Sequence, residues 1–263
     1  MSDVPALDIT GDHHVHTSYC NHAVGEMEEY ILAAIEKGLR SLTFLEHLEC
    51  GLSYSPCIWL TPELFRFYFA EGEQLQEKYA DQITISLGAE IGYNPGAVDE
   101  LLALLDAFPF SHHGLSCHFF FDGKEHLNML SRRTDHIKKI AEFGAEPILD
   151  AYFRNLIQGC RDIPCDKLCH LDAALRHNAP VLTAYHYDLI DELFAVMLQN
   201  NIALEVNTSG YELRPHPYPV IALIQRAQQR GISLIIGSDA HRPEQVGRFF
   251  ARAAQELRRY DHP

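Results

Sequence analysis

The sequence predicts an α/β protein in which a parallel sheet closes into a barrel. Seven short apolar runs have the length and composition of buried strands, and amphipathic helical stretches lie between them. Strands that alternate with helices form parallel sheets, and 263 residues are enough for one complete barrel. The seven predicted strands are Leu7–Val15, Ser41–Leu45, Ile83–Ile91, His113–Cys117, Lys167–Leu171, Ile202–Val206 and Ile232–Ile236.

Helical patterning lies between these strands. Apolar residues recur at intervals of three and four, as on the buried face of an amphipathic helix. Several of these stripes are followed by a residue that commonly ends helices, namely Gly38, Pro109 or Gly231. The stripes are Met27, Ile31, Ala34 and Ile35; Leu101, Leu102 and Leu105; Leu189, Leu193, Val196 and Met197; and Val220, Ile221, Ile224 and Ala227.

Two stretches depart from the alternation of strands and helices. The turn-rich segment Gly51–Pro62 contains Trp59, the only tryptophan, and predicts a loop over the ends of the strands. The segment Phe119–Thr134 contains the turn signal Asp122-Gly123 and predicts a second lid or a short hairpin. No repeat, low-complexity tract or linker marks a boundary, so we expect residues 1–263 to form a single domain.

The acidic composition restricts the class of partner. The chain has 36 Asp and Glu against 21 Lys and Arg, a formal net charge of −15, which disfavours nucleic acid because phosphate backbones need a basic surface. A small phosphorylated substrate is compatible with this charge, since bound metal cations reverse the field locally. The sequence predicts no oligomeric state.

Features that would direct the chain to a membrane or out of the cell are lacking in the sequence. No apolar stretch approaches the ~20 residues of a membrane span, and no secretory signal pattern is visible at residues 1–5. The seven cysteines lack the spacing of a disulfide framework, which suits a reducing compartment. We therefore expect a cytoplasmic protein without a membrane partner.

Histidines and carboxylates follow the ends of the predicted strands. His14 and His16 alternate on the first strand, so both imidazoles point to the same face. Asp239 and His241 supply a carboxylate and another imidazole near the last strand, and the carboxyl ends of barrel strands meet on one face. Mixed nitrogen and oxygen ligands suit zinc, manganese or ferrous iron better than magnesium. Further candidates at strand ends are Glu46, His47, Glu90, His118, His170, Glu205 and Asn207.

A single histidine at a strand end is more simply interpreted as a hydrogen-bonded structural residue. That alternative applies to His118 or His170 taken alone, but the occurrence of such residues at nearly every strand end favours a metal site. The remaining histidines have no such placement, and most of them are expected to be solvated or to cap helices. They are His112, His113, His126, His136, His177, His186, His216 and His262.

Together these motifs resemble those of the polymerase and histidinol phosphatase (PHP) family, from about residue 10 to residue 247. Within it, Asn207-Thr208 followed by Arg214-Pro215, and the Ser-Asp-Ala-His-x-Pro ending, are characteristic of the stand-alone histidinol-phosphate phosphatases. The matching motifs are His14-x-His16-Thr17, Cys20-x-His22-Ala23-x-Gly25, Glu46-His47, Gly88-x-Glu90, Ser116-x-His118, His170-Leu171-Asp172, Glu205-x-Asn207-Thr208-x-Gly210 and Gly237-Ser238-Asp239-Ala240-His241.

The resemblance implies a distorted (β/α)7 TIM-like barrel that holds three divalent transition metals, zinc, manganese or iron. Family members often have Asp where this chain has Glu46, so Glu46 could ligate, orient a ligand or lie behind the ligands. Asp12 is expected behind them too, fixing an imidazole tautomer. By position, His14, His16, Glu90 and Asp239 would hold the first metal; His22, His47 and His241 the second; and the bridging Glu90 with His118 and His170 the third.

The same resemblance implies a phosphatase of histidine biosynthesis that converts L-histidinol phosphate to L-histidinol and phosphate. A hydroxide bridging the metals would attack phosphorus, with Glu90, Asp239 and His241 in catalytic positions and Asp239 or His241 passing the proton to the leaving oxygen. Arg176 and Arg214 are predicted to bind the phosphate. Arg154 is a third candidate, with a solvated helix arginine as the alternative.

Two other functions are compatible with the sequence. One is a phosphodiesterase or nucleotide-phosphate hydrolase that uses the same ligands, and the other is a metal-binding module without catalytic activity. Loss of the ligands of one metal would favour the inactive module, but no ligand of the pattern is missing. The phosphatase is therefore the leading hypothesis.

Overall fold

The computed structural model describes residues 7–176 and 182–260. His177 and His262 lie outside these ranges, and so do the predictions made for them. Within the ranges the strands are β1 (Gly11–Val15), β2 (Ser41–Glu49), β3 (Thr84–Gly92), β4 (His112–Ser116), β5 (Phe119–Phe121), β6 (His126–Asn128), β7 (Lys167–Leu168), β8 (Ala203–Asn207) and β9 (Leu234–Gly237). The helices are α1 (Met27–Glu36), α2 (Pro62–Lys78), α3 (Val98–Ala107), α4 (Thr134–Phe143), α5 (Ala145–Asp162), α6 (Ala184–Gln199), α7 (Ile221–Gln229) and α8 (Phe250–Tyr260).

Seven of the strands form a parallel sheet in the order β1-β2-β3-β4-β7-β8-β9. The two outer strands approach each other through a parallel bridge between Val15 and Ala240, and the amide of His16 donates to the carbonyl of Ala240 at 2.9 Å. The sheet is therefore nearly closed, which confirms the predicted distorted (β/α)7 barrel. The carboxyl ends of all seven strands consequently face one side of the molecule.

Helix ends agree with the local sequence. The Thr61 side chain accepts a hydrogen bond from the Leu64 amide, and Pro62 follows at the first position of α2. Gly38 and Gly231 both have a left-handed backbone just after α1 and α7, where a side chain would be strained. No helix in the described ranges is both long enough and apolar enough to span a membrane.

Three strands start or end at residues other than those predicted. Strand β2 continues to Glu49 because its pairing with β3 runs without interruption from Ser41–Thr84 to Glu49–Gly92. Strand β7 ends at Leu168, three residues before the predicted end, because His170 has a left-handed backbone with φ of 26°. Strand β1 begins at Gly11 and not at Leu7.

The two irregular segments pack against each other. Strands β5 and β6 form the short antiparallel hairpin expected within Phe119–Thr134. The Ser53 amide donates to Nδ1 of His126, and the Tyr54 ring lies 4.9 Å from that of Phe119 between centroids. The loop and the hairpin thus form one wall beside the carboxyl ends of the strands.

Candidate metal centre

Glu90, at the end of β3, is the centre of a group of histidines. The side chain is buried, and each carboxylate oxygen faces imidazoles from different strands. Its position follows from the β2–β3 register, which places His47 directly beside Glu90. Oε1 lies 2.6 Å from Nε2 of His170 and 3.0 Å from Nε2 of His118, while Oε2 lies 2.8 Å from Nδ1 of His47 and 3.6 Å from Nε2 of both His14 and His16.

The remaining predicted ligands complete this group. The Nε2 atoms of His14 and His16 are 3.0 Å apart, and Oδ1 of Asp239 lies 3.4 Å from Nε2 of His16. The Nε2 atoms of His22 and His241 are 2.9 Å apart. Candidate ligand atoms lie within 4.8 Å of one another in the group His22, His47 and His241, in the group His14, His16 and Asp239, and in the group His16, His47 and Glu90. The structure therefore brings all nine predicted ligands together.

Two of the ligands have a strained backbone. His170 and Asp239 have φ values of 26° and 50°, a region that non-glycine residues seldom occupy. The His170 amide donates to Oε2 of Glu205 at 2.9 Å, and Arg248 donates to the carbonyls of Ser238 and Asp239 at 2.9 and 3.0 Å. Backbone strain of this kind persists where surrounding contacts hold it, and it is frequent at functional sites.

Two carboxylates orient imidazoles by contacting Nδ1, the ring nitrogen that faces away from the centre of the group. Oε1 of Glu205 lies 2.6 Å from Nδ1 of His14, and Oε1 of Glu49 lies 2.7 Å from Nδ1 of His118. A hydrogen bond at Nδ1 places the ring proton there and leaves Nε2 free to bind a metal. Glu205 was visible in the sequence as a strand-end carboxylate, whereas nothing in the sequence connected Glu49 with His118.

Asp12 does not fix an imidazole tautomer, contrary to the prediction. Its buried carboxylate accepts hydrogen bonds from the amides of Ser238, Gly247 and His14 at 2.9, 2.8 and 3.3 Å. It therefore connects β1 to the segment that carries Asp239. The tautomer of His14 is set by Glu205 instead.

Glu46 lies behind the ligands. Oε1 accepts from the amide and the hydroxyl of Thr17 at 2.7 and 2.5 Å, and Oε2 is 3.9 Å from Nδ1 of His16. Burial raises the pKa of this carboxyl to about 8. Of the three roles left open by the sequence, this geometry favours a residue that supports the Thr17 segment beside His16.

Burial and neighbouring charges set the ionisation of the ligands. Burial lowers the pKa of His47 to about 3 and that of His241 to about 4, so both rings are neutral, as metal ligands must be. Burial also lowers the pKa of His118, but Glu90 and Glu49 outweigh it and raise that pKa to about 10, so a metal at Nε2 would have to displace the proton that this ring carries. Burial raises the pKa of Glu90, but the surrounding imidazoles outweigh it and hold that pKa well below its usual range. The centre therefore contains an ionised carboxylate that attracts cations.

The donor set fits transition metals. Nδ1 of His22 faces the carbonyl of Cys20, and Nδ1 of His241 faces that of Asp239, so both ring protons lie at Nδ1. Two unprotonated Nε2 atoms then face each other at 2.9 Å, which is repulsive unless a cation binds them. Oε2 of Glu90 is likewise buried, and its 2.8 Å approach to Nδ1 of His47 lacks hydrogen-bond geometry, so it has no hydrogen-bond partner in the described ranges.

A cavity of about 390 Å³ opens above the ligands. Four arginines line it in an otherwise acidic protein, namely Arg132, Arg176, Arg242 and Arg248. Sequence reasoning found only Arg176 among them. Arg242 is the variable position of the Ser-Asp-Ala-His-x-Pro motif, and Arg132 and Arg248 lie outside the quoted motifs. Arg176 donates to the carbonyl of Leu130 at 3.2 Å, and its Nε has no partner in the described part of the chain.

The other two predicted phosphate-binding arginines are not among the residues that line the cavity. Arg154 is more than half exposed on α5, where it pairs with Asp150 at 2.9 Å, a placement that favours the alternative of a solvated helix arginine. Arg214 pairs with the buried Asp172 at 2.5 Å and lies over the Tyr218 ring at 3.9 Å from its centroid. Its position supports Tyr218, which does line the cavity.

Comparisons with known proteins agree with this geometry. The model of the PHP domain family matches residues 12–209. A probable histidinol-phosphatase of Deinococcus radiodurans is 30% identical over 259 residues, covering 94% of this chain and 92% of the relative. The histidinol-phosphatase of Bacillus subtilis is 25% identical over 254 residues, covering 90% of this chain and 95% of the relative.

Solved structures show the same fold. The putative histidinol phosphatase of Listeria monocytogenes has a TM-score of 0.85 at 19% identity, covering 92% of this chain and 99% of its own. The histidinol phosphate phosphatase of Lactococcus lactis has a TM-score of 0.76 at 20% identity, covering 95% of this chain and 92% of its own. That structure is a complex with zinc, L-histidinol and phosphate. Because the family model matches residues 12–209, most of its length, the chain belongs to the PHP domain family.

Proposed function

We propose that this protein hydrolyses L-histidinol phosphate to L-histidinol and phosphate at a centre of three divalent transition metals. The observation that carries the proposal is the convergence of seven imidazoles and two carboxylates below a cavity lined by arginines. The names of the Deinococcus and Bacillus relatives, and the zinc, L-histidinol and phosphate in the Lactococcus enzyme, support the choice of substrate. A small phosphomonoester also suits the size of the cavity.

We assign the ligands to three metals, each zinc, manganese or iron. Such metals lower the pKa of bound water toward neutrality and offset charge on phosphoryl oxygens. The single carboxylate of Glu90 joins the sites because its two oxygens face different imidazoles. The first site comprises His14, His16, Glu90 and Asp239; the second His22, His47 and His241; and the third Glu90, His118 and His170.

Proton transfer to the leaving oxygen is assigned to the Asp239–His241 pair. Their side chains are 19% and 28% exposed, whereas those of His14, His16 and Glu90 are 1% exposed or less. Nδ1 of His241 lies 3.5 Å from Oδ1 of Asp239, so the two groups share a position at the cavity mouth. Groups that exchange protons with both substrate and solvent need this placement.

The reaction is assigned to the cytoplasm. All seven cysteines lie in the described ranges and all are free thiols, as expected in a reducing compartment. The partner we assign is the small phosphorylated substrate alone.

Hydrolysis of matched substrates tests the proposed function. We expect histidinol phosphate to be hydrolysed at least about 100-fold more efficiently than bis(p-nitrophenyl) phosphate, because a monoester dianion offers three terminal oxygens to metals and arginines and a diester offers two. Initial rates would be measured on protein loaded with zinc or manganese. Faster cleavage of the diester would replace the phosphatase with the phosphodiesterase alternative.

Arg176 is the arginine that we expect to contact the phosphate. Arg176→Met should lower kcat/KM for histidinol phosphate about 10- to 150-fold, because a charge-assisted hydrogen bond to the dianion is lost. Arg154→Met is the matched control, since that side chain lies on the outer surface and should leave the kinetics unchanged. Equal kinetics for the two variants would place the anion contact at another arginine of the cavity.

A further inference from the structure

Glu49 has a carboxylate oxygen that no side chain of the described ranges uses. The residue is 6% exposed and is one of the residues that line the cavity. Oε1 is 2.7 Å from Nδ1 of His118, whereas Oε2 makes no hydrogen bond among the described residues. No arginine or lysine of those residues lies within salt-bridge distance of either oxygen. Unlike Oε2 of Glu46 and of Glu90, Oε2 of Glu49 is not fully buried, so it is accessible from the cavity and free to accept a hydrogen bond from a ligand there.

The local backbone makes room for this carboxylate. Glu49 is two residues beyond His47 on β2, so both side chains project to the same side of the sheet, toward the cavity. The strand register places Glu49 beside Gly92 on β3, and a Cβ atom at position 92 would overlap both carboxylate oxygens. Glycine at this position therefore permits the carboxylate to lie flat against β3 at the edge of the cavity.

The cavity carries charges of opposite sign on different strands. Arg176 follows β7 and Arg242 follows β9, whereas Glu49 ends β2 on the other side of the cavity. Arg248 is paired with Glu212, so Arg176 and Arg242 are the arginines of this side that remain for an anion. Two uncharged residues, Asn128 and Ile58, line the cavity from the hairpin and the neighbouring loop. A ligand with an anion at one end and a cation at the other matches this distribution.

We propose that Oε2 of Glu49 binds the primary ammonium group of the substrate and selects phosphomonoesters that carry such a group. The inference rests on the proposed function, because the same cavity holds the phosphate. An ammonium donor completes the hydrogen bonds of Glu49 while Oε1 continues to orient His118. Glu49 is thus a specificity-determining residue for the part of the substrate that leaves as the alcohol.

The experiment compares two substrates in two proteins. Histidinol phosphate and its deamino analogue, 3-(imidazol-4-yl)propyl phosphate, differ only in the amine. In the unaltered protein we expect kcat/KM to favour the amine about 10- to 150-fold, mainly through KM, because the contact is distant from phosphorus. In Glu49→Gln the preference should fall to about one, since the amide keeps an acceptor for His118 and removes the negative charge.

The ratio separates the two roles of Glu49. Any disturbance of His118 or of metal binding lowers the rates for both substrates and cancels in the ratio. An unchanged preference in Glu49→Gln would overturn the proposal, and so would a protein without any preference for the amine. Gly92→Ala gives a second test, because it crowds the carboxylate without altering its charge and should reduce the same preference.

A further test uses only the unaltered protein, so its result does not depend on whether a variant folds. L-Histidinol should inhibit hydrolysis of p-nitrophenyl phosphate at least about 10-fold more tightly than 3-(imidazol-4-yl)propanol, and equal inhibition constants would overturn the role of Glu49. If the proposed function is wrong, the observation is different: the protein cleaves p-nitrophenyl phosphate but does not cleave histidinol phosphate. The two failures are therefore distinguishable.

Discussion

Glu90→Ala should reduce kcat/KM by more than about 1,000-fold, the largest effect expected of any single substitution here. The carboxylate faces imidazoles from different strands through its two oxygens, so its loss would remove the ligand that we propose the metals share, and with it several kcal/mol of charge stabilisation. Elemental analysis of protein purified without chelator should give three metal equivalents for the unaltered chain and fewer than two for the variant.

A surface glutamate provides the control for this substitution. Glu73 is exposed on α2, and Glu73→Ala should retain three equivalents and full activity. A single equivalent in the unaltered protein, unresponsive to added zinc or manganese, would refute the three-metal centre. Full activity of Glu90→Ala would refute its bridging role.

Asp12→Ala should destabilise the protein by roughly 3 kcal/mol or more. The substitution leaves the amides of Ser238, Gly247 and His14 without their acceptor, and each buried unsatisfied donor costs about 1–3 kcal/mol. For a chain of this size the melting temperature should fall by roughly 6–12 °C. Thermal unfolding followed by circular dichroism measures the change.

Asp8 is the matched control for Asp12. It accepts from the amide and the hydroxyl of Thr10 at an exposed position, so Asp8→Ala should change the melting temperature by no more than about 2 °C. Asp12→Asn should be intermediate, because the amide keeps one acceptor but directs a donor at another amide. A melting temperature of Asp12→Ala equal to that of Asp8→Ala would contradict the role assigned to these hydrogen bonds.

The convergence of the candidate ligands was predictable because their signals are local. His14 and His16 share a face of one strand, and His118 and His170 follow apolar runs. Because the carboxyl ends of barrel strands lie on one face, this placement alone predicted that the four side chains lie close together. The alternation of strands and helices, together with the chain length, predicted the parallel sheet and its closure into a barrel, which the structure shows as a near closure at Val15 and Ala240.

Partners that depend on strand length or loop path were not predictable. The sequence placed the end of β2 at Leu45, so Glu49 could not be recognised as a neighbour of Gly92 and His118. Likewise, no sequence pattern indicated that Tyr54 and Trp59 pack on Phe119 and are not among the residues that line the cavity. Such contacts are decided by tertiary packing, which periodicity does not encode.

The bridge between the first and last strands makes metal binding depend on the progress of translation. Asp12 and Ser238, which join the two ends of the site, are 226 residues apart. At ~5–20 residues per second, roughly 10–45 s separate their synthesis on the ribosome. A nascent chain that ends before Asp239 lacks both Asp239 and His241 and so cannot complete the proposed first or second metal site. Loading of these two proposed sites is thus restricted to chains whose last strand has emerged, whereas Glu90, His118 and His170 are all synthesised earlier.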